Sequence, residues 1–169
     1  MRILGIDPGS NVTGFGVIDS DGRQSRHVAS GVIRVRGETL AERLGFIFAA
    51  VEQVVADHAP ECMAVEEIFM ARNAASALKL GQARGAAICA GARAGLPFSA
   101  YAATTVKQAL VGTGRADKEQ VQHMVRLLLG LREAMVTDAS DALAVAICHA
   151  HTSAMNSRTA GAAAIGGHW

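Results

Sequence analysis

The chain has 169 residues, half of them hydrophobic, which is the size and apolar content of one domain with a continuous core. Sixteen basic against fifteen acidic side chains leave a formal charge of +1, so overall charge neither announces nor excludes a polyanionic partner, and its distribution must decide. The odd number of cysteines (Cys62, Cys89, Cys148) without CxxC spacing argues against disulfides and zinc and for buried thiols in a reducing cytoplasm. No apolar run approaches the roughly 20 residues of a membrane helix, and the run Ile3 to Ile6 stops at Asp7, too short for a signal peptide.

In chain order, Arg2 to Asp7 reads as a strand, Pro8-Gly9-Ser10 as a turn and Val12 to Asp19 as a second strand. Asp21-Gly22 turns into a third near His27 to Arg36, completing an antiparallel meander. Thr39 and Glu42 form a capping box ahead of Leu40, Leu44, Ile47, Phe48, Val51 and Val55 at helical spacing, which ends at Pro60. Cys62 to Glu66 is a brief inner strand, Asn73 caps a helix to about Arg93, and Phe98 to Ala102 is a fifth strand. Val106 to Val111 is a short helix, Asp117 caps another reaching Leu131, and Thr137 caps the last, running to about His149. From Thr152 onward, Ala, Gly, Ser and Thr without apolar periodicity predict a disordered tail, so the expectation is one domain over 1–151 and a tail over 152–169. The fold class is α/β: a mixed five-stranded sheet, the meander plus two further strands, flanked by helices.

Asp7 and Glu66 each end an apolar strand, and Asp138 and Asp141 stand three residues apart on one face of the last helix's first turn. Taken singly, Asp7 sets a turn, Asp138 favours a helix N-terminus and Asp141 is solvated. Their apolar surroundings give a second reading, since buried acids need compensation and a divalent cation supplies it. Two such ions roughly 3.5–4 Å apart suffice for phosphodiester hydrolysis. No HExxH, Cys/His quartet or GxxxxGK[ST] offers a competing chemistry. Glu67 follows Glu66 on the strand and faces the other way.

Between Glu67 and Asp117 there is no Asp or Glu, yet this stretch carries Arg72, Lys79, Arg84, Arg93, Lys107 and Arg115, with Lys118 just beyond. So long a one-signed run points to a polyanion surface, DNA or RNA, although each cation alone also reads as solvated. Lys107 and Lys118 flank Gly112-Thr113-Gly114, either reaching a phosphate beside the acids or standing exposed. Phe69, one of only five Phe, either packs inward or stacks on an unpaired base from its basic loop. The small residues Ala74, Ala77, Gly81, Gly85 and Ala86 permit close approach to the protein's own sheet or to a second subunit.

The runs Gly5-Ile6-Asp7-Pro8-Gly9, Thr13-Gly14-Phe15-Gly16, Glu66 to Asn73, Leu78-Lys79-Leu80-Gly81-Gln82-Ala83-Arg84-Gly85 and Asp138 to Ala144 together resemble the RuvC Holliday junction resolvases, over about Met1 to His151. The resemblance implies a ribonuclease-H-like fold with Asp7, Glu66, Asp138 and Asp141 as catalytic metal-binding acids. It also implies Phe69 as a junction-inserting aromatic and Lys107 and Lys118 as phosphate-side lysines. Some members carry His where Asp138 stands, which adds proton handling to that position. The family further implies two Mg²⁺ per subunit, with Mn²⁺ a substitute, and a cytoplasmic homodimer acting with the RuvA and RuvB branch-migration proteins. Its activity is paired nicking of four-way junction DNA in recombination and repair. Arg72, Lys79, Arg84 and Arg115 complete the expected DNA-binding set. Three rivals stand beside this: an actin-like or sugar-kinase ATPase, which needs a second phosphate turn that the chain after Gly114 lacks; a non-catalytic junction-binding module; and an RNA nuclease of the same fold.

Overall fold

The computed structural model describes residues 1–68 and 73–165, with side chains described through Met155. Strands β1 (Arg2–Asp7), β2 (Val12–Ser20) and β3 (Ser25–Arg34) form the meander, and β4 (Cys62–Glu66) and β5 (Phe98–Tyr101) join it in the order β3-β2-β1-β4-β5. β2 runs antiparallel to both β1 and β3, whereas β4 runs parallel to β1 and β5 parallel to β4. The β2–β3 turn closes because the Asp21 carboxylate accepts from the Arg23 and Gln24 amides, each at 2.8 Å, with Gly22 at φ 85°. β3 ends at Arg34, short of the expected Arg36.

Helices cover both faces. α1 (Leu40–His58) starts at the expected capping box, Thr39 with Glu42, and stops in a left-handed Ala59 just before Pro60. α2 (Ala74–Arg93) is capped by Asn73, whose side chain accepts from the Ala75 amide at 2.9 Å. Strand alternation sends Leu4, Ile6, Val17, Met63 and Val65 toward these two helices, against Ile47, Val51, Ala83 and Ala87. The other face, with Ile3, Ile18 and Ala64, packs under α3 (Ala103–Val111), α4 (Lys118–Leu129) and α5 (Thr137–Ile165).

α5 is the central element of that second layer. Ala142 to Cys148 is almost fully buried on every side, because the sheet covers one face of the helix and α3 and α4 cover the others. Fully burying Leu143, Val145 and Ile147 stabilises this docking by roughly 1.5–3 kcal/mol each, enough to hold the acidic first turn against the sheet despite repulsion there. Its close seat depends on three glycines. A Cβ on Gly5 would collide with the Ala142 carbonyl, one on Gly14 with the Asp138 carbonyl, and one on Gly16 would lie 2.6 Å from Leu143 Cγ.

Three expectations need correction. Thr137 is the first residue of α5 rather than its cap: the Ser140 amide donates to the Val136 carbonyl at 3.0 Å, which starts the helix one residue earlier. The helix also passes His149, its expected end, and runs to Ile165. Thr152 and Ser153 hydroxyls donate to the Cys148 and His149 carbonyls at 2.9 and 2.7 Å instead of competing with the helix, and the following alanines favour it. Cys62 and Cys148 are buried as expected, but Cys89 is exposed on the outer side of α2.

Candidate active site

β1 and β4 run parallel and finish side by side. Ile3 and Gly5 face α5 while Leu4 and Ile6 face away, so the next residue on the α5 side is Asp7. In β4 the same alternation takes Cys62 and Ala64 to that side and then Glu66, while Glu67 is exposed. The first turn of α5 lies over these strand ends and brings Asp138 and Asp141. The four acids, separated by up to 134 positions in the chain (141 − 7), thus share one end of the sheet.

Their proximity is visible in their proton affinities. The Asp7 carboxyl is pushed up to about 8, first by burial and then by the charges of Glu66, Asp141 and Asp138, and it shares a hydrogen bond with Glu66. Glu66 is also raised, by burial and by Asp141, against the lowering effect of the Asp7 hydrogen bond and of Lys118 and Lys107. Protonated Asp7 therefore donates to the Glu66 carboxylate. Lys118 Nζ stands 2.9 Å from Asp141 Oδ2, and this contact raises the lysine's proton affinity. Among the described residues no three His, Cys, Asp or Glu side chains are already gathered as a metal-binding group. One pair is closed by a proton and Asp141 by a lysine. The donor set itself, four convergent carboxylates whose repulsion holds one of them protonated near neutral pH, fits a hard divalent cation.

Lys107, on α3, and Lys118, the first residue of α4, line one cleft of about 280 Å³ with Glu66 and Asp141, walled by Val106, Val121, Ala144 and Val145. Gly112 ends α3 at φ 83° and Asp117 caps α4 with its own capping box, so the glycine loop folds the two helices to present both lysines to the acids.

The other expected DNA contacts are spread out. Lys79 is exposed and lines a different cleft with Ser10, Asn11 and Arg43. Arg115 is exposed in the α3–α4 loop. Arg84 is half-buried and turned inward: its Nε donates to the Glu66 carbonyl at 3.1 Å and its guanidinium lies 5.7 Å from the centre of the Phe98 ring. Phe69 and Arg72 lie outside the described residues.

Two contributors escaped the residue reading. Gly5, Gly14 and Gly16 let the acid-bearing turn of α5 sit on the strands, a role that the alternation of β1 and β2 would have indicated had the glycines been placed on the same face as Asp7. Thr13, fully buried, donates its hydroxyl to the Gly9 carbonyl at 3.0 Å and accepts from the Gly9 amide at 3.3 Å, fixing the turn that follows Asp7.

A family model described as crossover junction endodeoxyribonuclease RuvC matches residues 3–149. The chain belongs to the RuvC family. It is 57% identical over 152 residues to the RuvC of Hahella chejuensis, covering 90% of this chain and 88% of that one. It is 60% identical over 149 residues to that of Stutzerimonas stutzeri, with 88% and 86% covered. The structure of Thermus thermophilus RuvC in complex with Holliday junction substrate superposes with a TM-score of 0.87 at 42% identity, over 92% of this chain and 96% of that one. The RuvC fold is ribonuclease-H-like, and the sheet order and flanking helices found here are those of that fold.

Proposed function

We propose that this chain resolves four-way DNA junctions as a metal-dependent endonuclease. The observation that carries this reading is the meeting of Asp7, Glu66, Asp138 and Asp141 beside Lys107 and Lys118 in a chain of the RuvC family. Asp7, Glu66, Asp138 and Asp141 would hold two divalent ions, Mg²⁺ or Mn²⁺. Bound there, such ions lower the pKa of an attacking water and neutralise charge on the leaving oxygen. Lys107 and Lys118 hold the scissile phosphate against the acids, and the apolar cleft wall keeps bulk water from weakening those contacts. Lys79, Arg115 and Arg72 neutralise flanking phosphates, and Phe69 stacks on a base opened at the crossover.

Paired nicks require two such sites, hence a homodimer. Support comes from α2, where Leu78 is 68% exposed and Gly81 and Gly85 on the same face meet nothing within 4 Å, leaving a flat surface that the described residues do not cover. Cooperation with RuvA and RuvB, and a cytoplasmic location, rest on family membership. Among the described residues no helix is long and apolar enough to cross a membrane.

The test is cleavage of a labelled synthetic four-way junction, beside linear duplex, flap DNA and an RNA duplex, by wild type and Asp7→Asn in Mg²⁺ and in EDTA. Symmetric paired nicks confined to the junction, lost in EDTA and in Asp7→Asn, support the reading. Cutting of RNA instead, or no cutting, overturns it.

A further inference from the structure

β4 feeds Glu66 into the acid cluster at the very point where its own hydrogen-bond ladder fails. On the β5 side the ladder continues, since the Glu67 amide donates to the Tyr101 carbonyl at 2.8 Å. The Glu66 carbonyl belongs to the same peptide plane and points the opposite way, toward β1. The printed register pairs Ile6 with Val65, so one step on Glu66 stands opposite Asp7, and the ladder donor owed to the Glu66 carbonyl is the amide of residue 8. Residue 8 is proline and has no N–H. The carbonyl of a metal-site acid is thus left without its strand partner by the same Pro8 that turns the chain away after Asp7.

Arg84 fills that gap. Reaching from the fifth position before Cys89 on α2, its Nε donates to the Glu66 carbonyl at 3.1 Å. The guanidinium is steadied over the Phe98 ring at 5.7 Å, so one side chain ties α2, the end of β4 and the start of β5 together. We propose that Arg84 is a positioning residue for Glu66, replacing the ladder donor that Pro8 lacks, and that its task is the placement of this carboxylate rather than contact with DNA phosphate. Arg84 meets the backbone carbonyl of Glu66, whereas Lys118 and Lys107 are the cations that lower the proton affinity of its carboxyl. What matters in this reading is a donor at a fixed distance from Cα.

This inference rests on the metal-nuclease reading and is separable from it. Glutamine places its Nε2 the same number of bonds from Cα as the arginine Nε, so Arg84→Gln keeps the donor and removes the charge, whereas Arg84→Met keeps the length and removes both. The readouts are Mn²⁺ affinity without DNA, by electron paramagnetic resonance titration, and junction affinity as a function of salt in Ca²⁺. Positioning requires Arg84→Met to bind Mn²⁺ about three- to tenfold more weakly, Arg84→Gln to stay within about twofold of wild type, and both to keep the wild-type salt slope. Equal Mn²⁺ affinity in the two variants, whether lost or retained, or a salt slope reduced by about one in both as for a lost phosphate contact, overturns the proposal. Should the Met variant not fold, Arg84→Leu takes its place as the variant without a donor. A wild-type chain that binds no Mn²⁺ at all would overturn the metal-nuclease reading instead.

Discussion

Lys118 Nζ lies 2.9 Å from Asp141 Oδ2, with the lysine side chain 60% and the aspartate 24% exposed. A monovalent cation thereby stands on one of the acids that a divalent ion would use. Its exposure keeps the pair weak, so displacement costs little. Lys118→Met is expected to bind Mn²⁺ a few-fold more tightly in the absence of DNA, because a nearby positive charge is gone, while single-turnover junction cleavage falls roughly a hundredfold through loss of the phosphate contact. Mn²⁺ titration and a cleavage time course check the two opposite signs.

Asp7→Asn should remove a fall of stability with rising pH in the metal-free protein. The folded Asp7 carboxyl is held up at about 8, while in the unfolded chain it ionises near ~4. Between those values the unfolded form has released a proton that the folded form keeps, so the Asp7 contribution falls as pH rises through this window and is fully present only below it. At pH 8 without metal, Asp7→Asn should melt several degrees above wild type, with the difference gone near pH 4. Added Mg²⁺ should raise the wild-type melting temperature and leave the variant's unchanged. Calorimetry at the two pH values, with and without Mg²⁺, makes the comparison.

A methyl group at position 14 would meet the Asp138 carbonyl, whereas at Gly45, on the exposed side of α1, it would meet nothing within 4 Å. Gly14→Ala should therefore destabilise by at least about 1–3 kcal/mol and, by lifting the first turn of α5, reduce cleavage further than the stability loss explains. Gly45→Ala should stabilise by up to about 1 kcal/mol through helix propensity, with activity unchanged. Denaturant midpoints and cleavage rates of the pair separate backbone fit from a general effect of glycine replacement.

Phe69→Ala should slow cleavage more than it weakens junction binding, since base stacking opens the crossover while the basic side chains hold the phosphates. Equal losses in gel-shift affinity and cleavage rate would count against that role.

The apolar runs of β1 and β4 and the caps at Thr39, Asn73 and Asp117 are written locally, so the strands and most helix starts were legible in the sequence. The four acids were legible as a candidate group but the means of their approach was not, because it depends on Gly5, Gly14 and Gly16, whose meaning appears only when α5 is laid across them. The inward turn of Arg84 was not legible either: its place in a run without acids suggested DNA, and only the fold shows that its Nε donates to the Glu66 carbonyl. The α5 extension past Thr152 was missed because its signal is alanine propensity rather than an apolar stripe. Cys89 shows the reverse: an apolar neighbourhood in sequence that falls on the outer side of α2.

The seat of α5 over β1 and β4 also has a temporal meaning. Asp7 and Glu66 lie in the first half of the chain, and Asp138 and Asp141 arrive only with the last core element, which also carries Ala142 to Cys148 into the interior. A nascent chain still lacking α5 holds two of the four acids and an open sheet face, so completion of the core and the gathering of the acid cluster are one event.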